Sequence, residues 1–310
     1  MINQDLHLNT PLLESVALSN RINGRVWLKI EAMQPSSSFK LRGIGHACRH
    51  YVNNGARRLV SSSGGNAGLA VAYSGRKFSI PVTVVVPQTT TQRAIELIEQ
   101  EGAELIVHGE TWQEAHEYAL SLTGGDQVCI HPFDDPLLWE GHATIIDEIA
   151  KTGLKLDTVV LSVGGGGLLC GVIEGLHRND MADVPVLAVE TVGAHSLAAS
   201  LKAGKHIELD AITSIATTLG AKRVAKQAYD WCSKHRVFSH VVSDKDAVEA
   251  CLQFSSDQRI LVEPACGASL AAVYNQAEFL EDKRTILVIV CGGAGVSIAQ
   301  LQQWKEHLNT

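Results

Sequence analysis

The sequence alternates between short apolar runs rich in valine and isoleucine and longer stretches with the apolar spacing of an amphipathic helix. Seven such runs are visible, which read RVWLKIE, RRLVSSS, PVTVVVP, AELIVHG, DTVVLSV, PVLAVE and TILVIVC. Runs of this length and composition are typical of buried β-strands, and the helical stretches between most of them predict βαβ units. Because a βαβ unit makes its two strands parallel, we expect an α/β fold with mainly parallel sheets and helices on both faces.

The composition argues against several classes of protein. With 310 residues, of which 45% are hydrophobic, the chain can bury a large core in one large domain or two closely packed ones. The net charge of -7 is spread along the chain without a basic stripe, so we expect no nucleic-acid partner. The first residues lack a signal-peptide pattern, and no apolar run approaches the ~18 residues of a membrane helix. We therefore expect a soluble, cytoplasmic protein with no membrane partner.

The cysteines argue against a disulfide framework or a zinc knuckle. They are widely spaced and form no CxxC pair, and they are Cys48, Cys129, Cys170, Cys232, Cys251, Cys266 and Cys291. Most of them, such as Cys170 and Cys251, lie in apolar helical surroundings and are best interpreted as small core residues. Cys291 differs, because it follows a predicted strand and precedes a pair of glycines.

Three of the predicted strands end in glycine or serine clusters that open directly into helices. These segments read LVSSSGGNAGLAVAYS, VVLSVGGGGLLCGVIEG and LVIVCGGAGVSIAQLQQW. Ligands of open α/β sheets bind at such carboxyl ends of strands. Glycines there let backbone N–H groups approach an anion closely, and the following helix adds the positive end of its dipole. Each loop alone is equally consistent with a tight turn, whereas the three together predict an anionic ligand.

Neither common nucleotide-binding motif fits well. A P-loop requires GxxxxGK followed by Ser or Thr, and the sequence has no such string. The dinucleotide fingerprint is matched only loosely by the four glycines from Gly164 to Gly167, with Glu190 after the next strand. That match keeps an NAD-dependent oxidoreductase as an alternative. It leaves the segment around Lys40 unexplained.

A second open interpretation concerns the segment HPFDDPLLWEGH, which concentrates possible metal ligands. They are His131, Asp134, Asp135, Glu140 and His142. A zinc site is not favoured, because the segment has no pair of histidines four residues apart and no cysteine partner. Capping of a helix by Asp134 or Asp135, with Pro136 in the first turn, is the simpler account.

Lys40 lies in the segment QPSSSFKLRGIGHA, between a serine run and the pair Arg42 and Gly43. A lysine at such a place is more often a solvated helix-start residue than a catalyst. Here the motifs SSSFKxRG, SGGNAG, SVGGGG and CGG follow one another along the chain. Their order and spacing resemble the serine dehydratase and threonine dehydratase branch of the fold type II (tryptophan synthase beta-like) pyridoxal-phosphate (PLP) enzymes. The segments HPFDDPLLWEGH, VLAVETVGAHS and ILVEPACGASLAAVY are also similar to that family, so the resemblance covers essentially the whole chain.

The resemblance implies a fold type II architecture of two three-layer α/β/α domains with mainly parallel sheets. The large PLP-binding domain would combine residues 1–33 and 135–310, and the small domain would span residues 34–134. The cofactor would lie in the cleft between the two domains. The resemblance also implies a homodimer.

The resemblance further implies a role for individual residues. Lys40 would hold PLP as a Schiff base and act as the catalytic base, with Phe39 against the pyridine ring and Cys291 at its nitrogen. The residues that would bind the cofactor are Phe39, Lys40, Asn66, Gly164, Gly165, Gly166, Gly167 and Cys291. Asn66 would reach the ring hydroxyl, and the four glycines would cradle the phosphate with backbone N–H groups. The loop that would accept the substrate carboxylate consists of Ser63, Gly64, Asn66 and Ala67. A monovalent cation such as K⁺ would be bound by the Glu190 side chain and by the carbonyls of Gly164, Ala194, Leu219 and Ala221.

The activity implied is an ammonia-lyase of amino-acid metabolism and gluconeogenesis. It would remove water and ammonia from L-serine to give pyruvate, or from L-threonine to give 2-oxobutanoate. A thiol at Cys291 is too weak an acid to hold the pyridine nitrogen protonated, which favours elimination over transamination. The sequence does not rank serine against threonine, because both fit a small pocket near Ala67.

Several alternatives stay open. Racemases of this fold carry a serine where this chain has Gly64, and glycine supplies no proton on the face opposite Lys40. Threonine synthase, cysteine synthase and threonine dehydratase are other members of the fold; the biosynthetic dehydratases carry a regulatory domain, for which we expect no counterpart here. A non-catalytic binding protein of the same fold is a further alternative. The third loop reads CGGAG where the family commonly has CGGSN, so Ala294 and Gly295 remove polar groups near the cofactor.

Overall fold

The computed structural model describes residues 4–308, and within that range the chain alternates between strands and helices. The strands are β1 Leu12–Glu14, β2 Arg25–Ile30, β3 Arg58–Ser61, β4 Val82–Val86, β5 Glu104–Val107, β6 Gln127–Cys129, β7 Thr158–Ser162, β8 Val186–Thr191, β9 Val237–Val242 and β10 Thr285–Val290. The helices are α1 Val16–Ser19, α2 Lys40–Asn53, α3 Asn66–Phe78, α4 Gln92–Gln100, α5 Trp112–Ser121, α6 Pro136–Ala150, α7 Gly167–Arg178, α8 Ser196–Ala203, α9 Lys226–Lys234, α10 Asp244–Gln258, α11 Pro264–Tyr274 and α12 Ile298–His307. All seven apolar runs of the sequence form strands.

The strands form two sheets. The larger has six strands in the order β1-β2-β10-β7-β8-β9, and all neighbours are parallel except β1, which runs antiparallel to β2. The smaller has four parallel strands in the order β5-β4-β3-β6. Two mainly parallel sheets with helices between their strands confirm the predicted α/β fold class. The strands of the smaller sheet lie between residues 58 and 129; the domain bounds 1–33 with 135–310, and 34–134, stay a prediction.

Strand β4 of the smaller sheet is buried on both faces. Val84 on β4 belongs to the main hydrophobic core of the molecule, whereas its neighbour Val85 belongs to a second cluster with Ala115 and Ala119 of α5. Successive side chains of a strand point to opposite faces, so each face of β4 is covered. This explains why the run PVTVVVP is continuously apolar rather than alternating.

Helix α6 starts as the sequence predicts. The Asp135 carboxylate accepts a hydrogen bond from the Leu137 N–H at 2.8 Å, and Pro136 occupies the first turn. Capping by Asp135 is thereby confirmed. The histidines of the same segment have separate partners: His131 Nδ1 accepts the Asp134 N–H at 2.8 Å, and His142 Nδ1 accepts the Gly43 N–H at 3.2 Å.

Helix α2, which begins at Lys40, is fixed by a buried ionic network. The Arg42 guanidinium is fully buried and donates to Glu31 at 2.7 and 2.8 Å and to Glu148 at 2.7 Å. Lys29 also contacts Glu148. The two cations and two carboxylates of this network neutralise one another, which a buried cluster requires. The network joins α2 to β2 and α6 and so sets the position of Lys40.

Two further findings concern the chain as a whole. No helix within residues 4–308 is long and apolar enough to cross a membrane. The seven cysteines of the sequence lie inside that range, and all are free thiols.

Candidate active site

Lys40 is the first residue of α2, and its amine lies among the loops that follow the strands. Its Nζ donates a hydrogen bond to the Pro132 carbonyl at 2.7 Å. Burial of the amine lowers the pKa of Lys40 to about 8, although the charges of Cys291 and Glu263 act in the opposite direction. A large fraction of this lysine is therefore neutral near pH 8, which is the state that a nucleophile or a general base needs.

The segment before Lys40 is bound to the third glycine loop. The Phe39 N–H donates to the Cys291 carbonyl at 3.1 Å, and the Gly293 N–H donates to the Ser37 carbonyl at 2.8 Å. Gly292 has φ +90°, and a Cβ atom added there would lie 2.3 Å from the Ser37 oxygen. Only glycine fits both the conformation and the space, so this glycine lets the two segments lie side by side.

The aromatic ring of Phe39 lies between Lys40 and α6. The Lys40 amine is 5.1 Å from the centre of the Phe39 ring, and the His142 ring is 4.9 Å from it on an inclined plane. Nδ1 of His142 accepts the Gly43 N–H, so Nε2 carries the proton of the neutral ring. His142 is fully buried, and burial lowers its pKa well below the usual range. It therefore supports Phe39 as a neutral ring.

The second glycine loop precedes α7 and is closely surrounded by protein. A Cβ atom added at Gly165 would lie 2.1 Å from Cγ of Phe133, and one added at Gly166 would lie 2.5 Å from Cβ of Ala228. Gly166 also has φ +88°, in the left-handed region. Helix α7 begins at Gly167, and the first N–H groups of a helix have no partner within it. The loop thus has the close backbone and the free donors that a phosphate site requires.

The first glycine loop, residues 63–67, leads from β3 into α3. A Cβ atom added at Gly68 would lie 1.8 Å from the Ser63 carbonyl oxygen, so the loop folds back on its own helix only because that residue is glycine. Next to this loop, the Ser62 hydroxyl and Nδ1 of His116 are 2.9 Å apart. A Cβ atom added at Gly64 would lie 2.7 Å from Cγ2 and 2.9 Å from Oγ1 of Thr90. The Thr90 side chain therefore fills the space that a larger residue 64 would take.

Asn66 connects the first loop to the larger sheet. Its Nδ2 donates to the Glu263 carboxylate at 2.6 Å, and its Oδ1 accepts the Ala294 N–H at 3.2 Å. The same carboxylate oxygen accepts the Thr218 hydroxyl at 2.6 Å. Glu263 is 5% exposed and lies directly before α11.

Sequence reasoning assigned no role to Glu263, Thr218 or Thr90. For Glu263 a signal was available, because a single acid interrupts the apolar segment ILVEPACGASLAAVY. An acid in such a run is buried with partners or exposed by a turn, and the sequence alone does not say which.

Cys291 directly follows β10, and its carbonyl accepts the Phe39 N–H next to Lys40. It is 7% exposed, and its contact with Cys266, together with burial, raises the pKa of the thiol well above the usual range. Cys291 is therefore an uncharged thiol at neutral pH.

The residues predicted to bind a monovalent cation are only partly brought together. A Cβ atom added at Gly164 would lie 3.0 Å from Cα of Leu219, and the Ala221 N–H donates to the Leu219 carbonyl at 2.8 Å. The Glu190 carboxylate accepts the N–H groups of Leu197 and Ala198 at 2.9 and 2.8 Å, in the first turn of α8 after Ala194. Burial raises the pKa of Glu190 to about 7. Its role as a cation ligand stays a prediction.

Comparison with known proteins identifies the family. The sequence profile described as "Pyridoxal-phosphate dependent enzyme" matches residues 4–292. The chain is 48% identical to a human protein named "L-serine dehydratase/L-threonine deaminase", over 99% of this chain and 97% of that protein. Among solved structures, a fungal L-serine ammonia-lyase from Rhizomucor miehei matches with TM-score 0.93 and 36% identity, over 98% of this chain and 99% of that one. Maize serine racemase matches with TM-score 0.86 and 25% identity, over 98% and 93% of the two chains. The likeness extends over nearly the whole chain, and the chain belongs to the family of pyridoxal-phosphate dependent enzymes.

Proposed function

We propose that this protein is an L-serine and L-threonine ammonia-lyase that uses pyridoxal phosphate. The observation that carries the proposal is the buried Lys40 amine, which has a pKa of about 8 and donates to the Pro132 carbonyl after β6. The segment just before Lys40 is hydrogen-bonded to the glycine loop after β10. The names of the human and fungal relatives support this choice of substrate and reaction.

The residues present fit the cofactor. Gly165 and Gly166 have no room for a side chain, and α7 begins at the next residue, so the loop offers backbone donors to a phosphate. We propose that this loop, from Gly164 to Gly167, holds the phosphate, and that Phe39 and Asn66 contact the ring. Cys291 would face the ring nitrogen. When bound, pyridoxal phosphate supplies the electron sink that stabilises negative charge at the substrate Cα.

The chain itself supplies the base and the substrate contacts. Neutral Lys40 would hold the cofactor and then take the proton from the substrate Cα. The loop of Ser63, Gly64, Asn66 and Ala67, at the N-terminal end of α3, would accept the substrate carboxylate, which the dipole of α3 favours. An uncharged thiol at Cys291 would leave the ring nitrogen unprotonated and so favour loss of the β-hydroxyl. Overall, serine becomes pyruvate and ammonia, and threonine becomes 2-oxobutanoate and ammonia.

One observation favours racemisation as a second candidate activity. Although Gly64 supplies no hydroxyl, the Thr90 hydroxyl lies 2.9 Å from the place that a Cβ atom of residue 64 would take. A hydroxyl on the substrate face opposite Lys40 is what a racemase needs to return a proton. Chiral analysis of the serine that remains after incubation separates the two activities.

Three further properties are part of the proposal. A monovalent cation such as K⁺ would bind at Glu190, because a buried carboxylate whose pKa is raised to about 7 by burial gains from a cation partner. The protein would work in the cytoplasm, in amino-acid metabolism and gluconeogenesis, which its seven free cysteines suit. It would act as a homodimer, and exposed apolar side chains such as Val16 and Met33 offer surface for a partner subunit.

The test measures 2-oxoacid release from L-serine and from L-threonine by the purified protein. We expect the parent to release pyruvate and 2-oxobutanoate and Lys40→Ala to release neither. Lys155→Ala, at an exposed lysine outside the residues assigned to the site, is the matched control and should retain parent activity. Activity of Lys40→Ala near the parent rate would contradict the proposal.

A further inference from the structure

Glu263 is a buried carboxylate for which the proposed function gives no role. It lies in the turn between α10 and α11, and α11 is buried along its whole length. The side chain is 5% exposed. Its neighbours place it beside the first and third glycine loops: it accepts hydrogen bonds from Asn66 and Thr218 and closely approaches Gly293.

The carboxylate of Glu263 joins three separate loops. One oxygen accepts both the Asn66 amide, from the loop after β3, and the Thr218 hydroxyl, from the turn at Thr217–Leu219, each at 2.6 Å. The Gly295 N–H, from the loop after β10, is also hydrogen-bonded to this side chain. A Cβ atom added at Gly293 would lie 2.0 Å from Cδ of Glu263. That glycine therefore leaves the space that the carboxylate fills.

These contacts fix the orientation of the Asn66 side chain. Its nitrogen faces the Glu263 carboxylate, and its oxygen accepts the Ala294 N–H at 3.2 Å. A flipped amide would place its oxygen against a carboxylate oxygen and its nitrogen against an N–H group, and would lose both hydrogen bonds. One N–H of Asn66 then remains for another acceptor. Asn66 starts α3 after a strand of the smaller sheet, whereas Glu263 and Ala294 lie next to α11 and β10 of the larger-sheet side. The contacts therefore join the two sides.

Packing alone does not account for an acid at this position. Glu31 is equally buried, but it is paired with the Arg42 guanidinium. The hydrogen-bond partners found for Glu263 within residues 4–308 are an amide, a hydroxyl and a backbone N–H, and burial raises the pKa of its carboxyl group. Lys40 acts on this carboxylate electrostatically but is not among its hydrogen-bond partners. Burying a carboxylate whose hydrogen-bond partners are neutral is costly compared with an apolar side chain of similar volume. The hydrogen bonds by which Glu263 joins the loops of the two sides offset this cost.

We propose that Glu263 is a positioning residue, which fixes the Asn66 amide and holds the loop after β3 against the loops of the larger sheet. It acts through Asn66 and touches neither substrate nor cofactor in this account. The inference rests on the proposed function for the role of Asn66, but the contacts themselves can be tested without substrate.

The first test is hydrogen exchange on cofactor-free and cofactor-loaded protein. Glu263→Gln keeps the size of the side chain but replaces one carboxylate oxygen with an NH2 group. That group would face a hydrogen-bond donor whose bond the oxygen now accepts. We expect exchange of the amides at residues 64–68 and 292–296 to become about ten- to hundredfold faster, the equivalent of losing a hydrogen bond to a charged group. Asp257→Asn is the matched control, because the Asp257 carboxylate accepts the Tyr274 hydroxyl at 2.8 Å away from the cleft. It should leave both loops at the parent rate.

The second test is a double-mutant cycle on cofactor affinity and on the separate values of kcat and KM for L-serine. If Glu263 acts through Asn66, Asn66→Ala with Glu263→Gln should be no worse than Asn66→Ala alone. Additive effects would overturn the proposal. So would parent exchange rates in Glu263→Gln, or exchange that rises equally throughout the chain, since the latter indicates a structural role only.

A further variant covers the case in which Glu263→Gln does not fold. Thr218→Val removes one donor from the shared oxygen and leaves the carboxylate and Asn66 in place. It should speed exchange at residues 217–221 and leave the orientation of Asn66 intact, so cofactor affinity should stay at the parent value. Loss of affinity in Thr218→Val as large as that in Asn66→Ala would contradict the assignment. Because exchange needs no turnover, a parent that does not deaminate serine would refute the proposed function and leave this test valid.

Discussion

Replacing Gly166 by alanine should separate the backbone strain at this position from its effect on cofactor binding. An alanine at φ +88° costs about 1–2 kcal/mol, because the left-handed region is unfavourable for L-residues. Its Cβ atom would also lie 2.5 Å from Cβ of Ala228 and 2.7 Å from Cγ2 of Val224. Overpacking of this kind costs about 1–3 kcal/mol. The free energy of unfolding should therefore fall by about 2–5 kcal/mol, the sum of the two costs.

Gly153→Ala provides the control for backbone strain. Gly153 also has a positive φ, +71°, but no atom lies within 4 Å of an added Cβ atom. The free energy of unfolding of Gly153→Ala should therefore fall only by the cost of backbone strain, about 1–2 kcal/mol. Urea unfolding of the cofactor-free proteins measures these losses, and equilibrium dialysis measures pyridoxal-phosphate affinity.

We expect cofactor affinity to fall at least about tenfold in Gly166→Ala, because the loop has to move and its N–H groups move with it. Affinity should be unchanged in Gly153→Ala. Equal unfolding energies for the two variants would refute the packing argument. Parent affinity in a folded, destabilised Gly166→Ala would refute the assignment of this loop to the phosphate.

Three other predictions concern the base, the opposite face and the cation. Because only the neutral amine reacts, capture of pyridoxal phosphate by Lys40 in the cofactor-free protein should speed up by about fiftyfold from pH 6 to pH 8 and then level off, as a pKa of about 8 requires; stopped-flow absorbance measures this, and a rate that keeps rising to pH 10 would contradict the lowered pKa. Gly64→Ser should disturb the loop, because its Cβ atom would overlap Thr90. The double variant Gly64→Ser with Thr90→Ala should accommodate the hydroxyl and form D-serine from L-serine, which chiral chromatography measures. An active double variant that forms no D-serine would show that residue 64 does not face the substrate. K⁺ at 100 times its dissociation constant should stabilise the protein by about 2.7 kcal/mol, as measured by urea unfolding, and Glu190→Gln should abolish this stabilisation. Equal stabilisation of the parent and of Glu190→Gln would place the cation elsewhere.

Seven strands could be predicted because they are continuous apolar runs, and all of them except the edge strand β5 are largely buried. Three strands escaped prediction: β1 and β6 have only three residues each, and β9, which reads VFSHVV, is an edge strand with half-exposed positions. Short or edge strands bury too little surface to leave a continuous apolar signal. The strands that were missed are therefore those that are very short or interrupted by polar residues.

In the site, features that depend on neighbouring residues could be predicted, whereas contacts between residues distant in the sequence could not. Glycine loops after strands can be recognised locally, because each loop carries its own pattern. A cap at Asp134 or Asp135 could be predicted from the neighbouring residues, and the structure shows that Asp135 is the cap. Glu263 could not be assigned, since its partner Asn66 is 197 positions away in the sequence. Thr90 was missed for a related reason, because only the parallel pairing of β3 with β4 brings it beside Gly64.

The most direct test of the central claim is to locate the cofactor on the chain. The purified protein, loaded with pyridoxal phosphate and treated with borohydride, should carry the reduced cofactor on one peptide, and tandem mass spectrometry should place it on Lys40. L-serine added before borohydride should protect Lys40 from this modification. Modification of another lysine, or no covalent cofactor in protein that releases pyruvate from serine, would contradict the account.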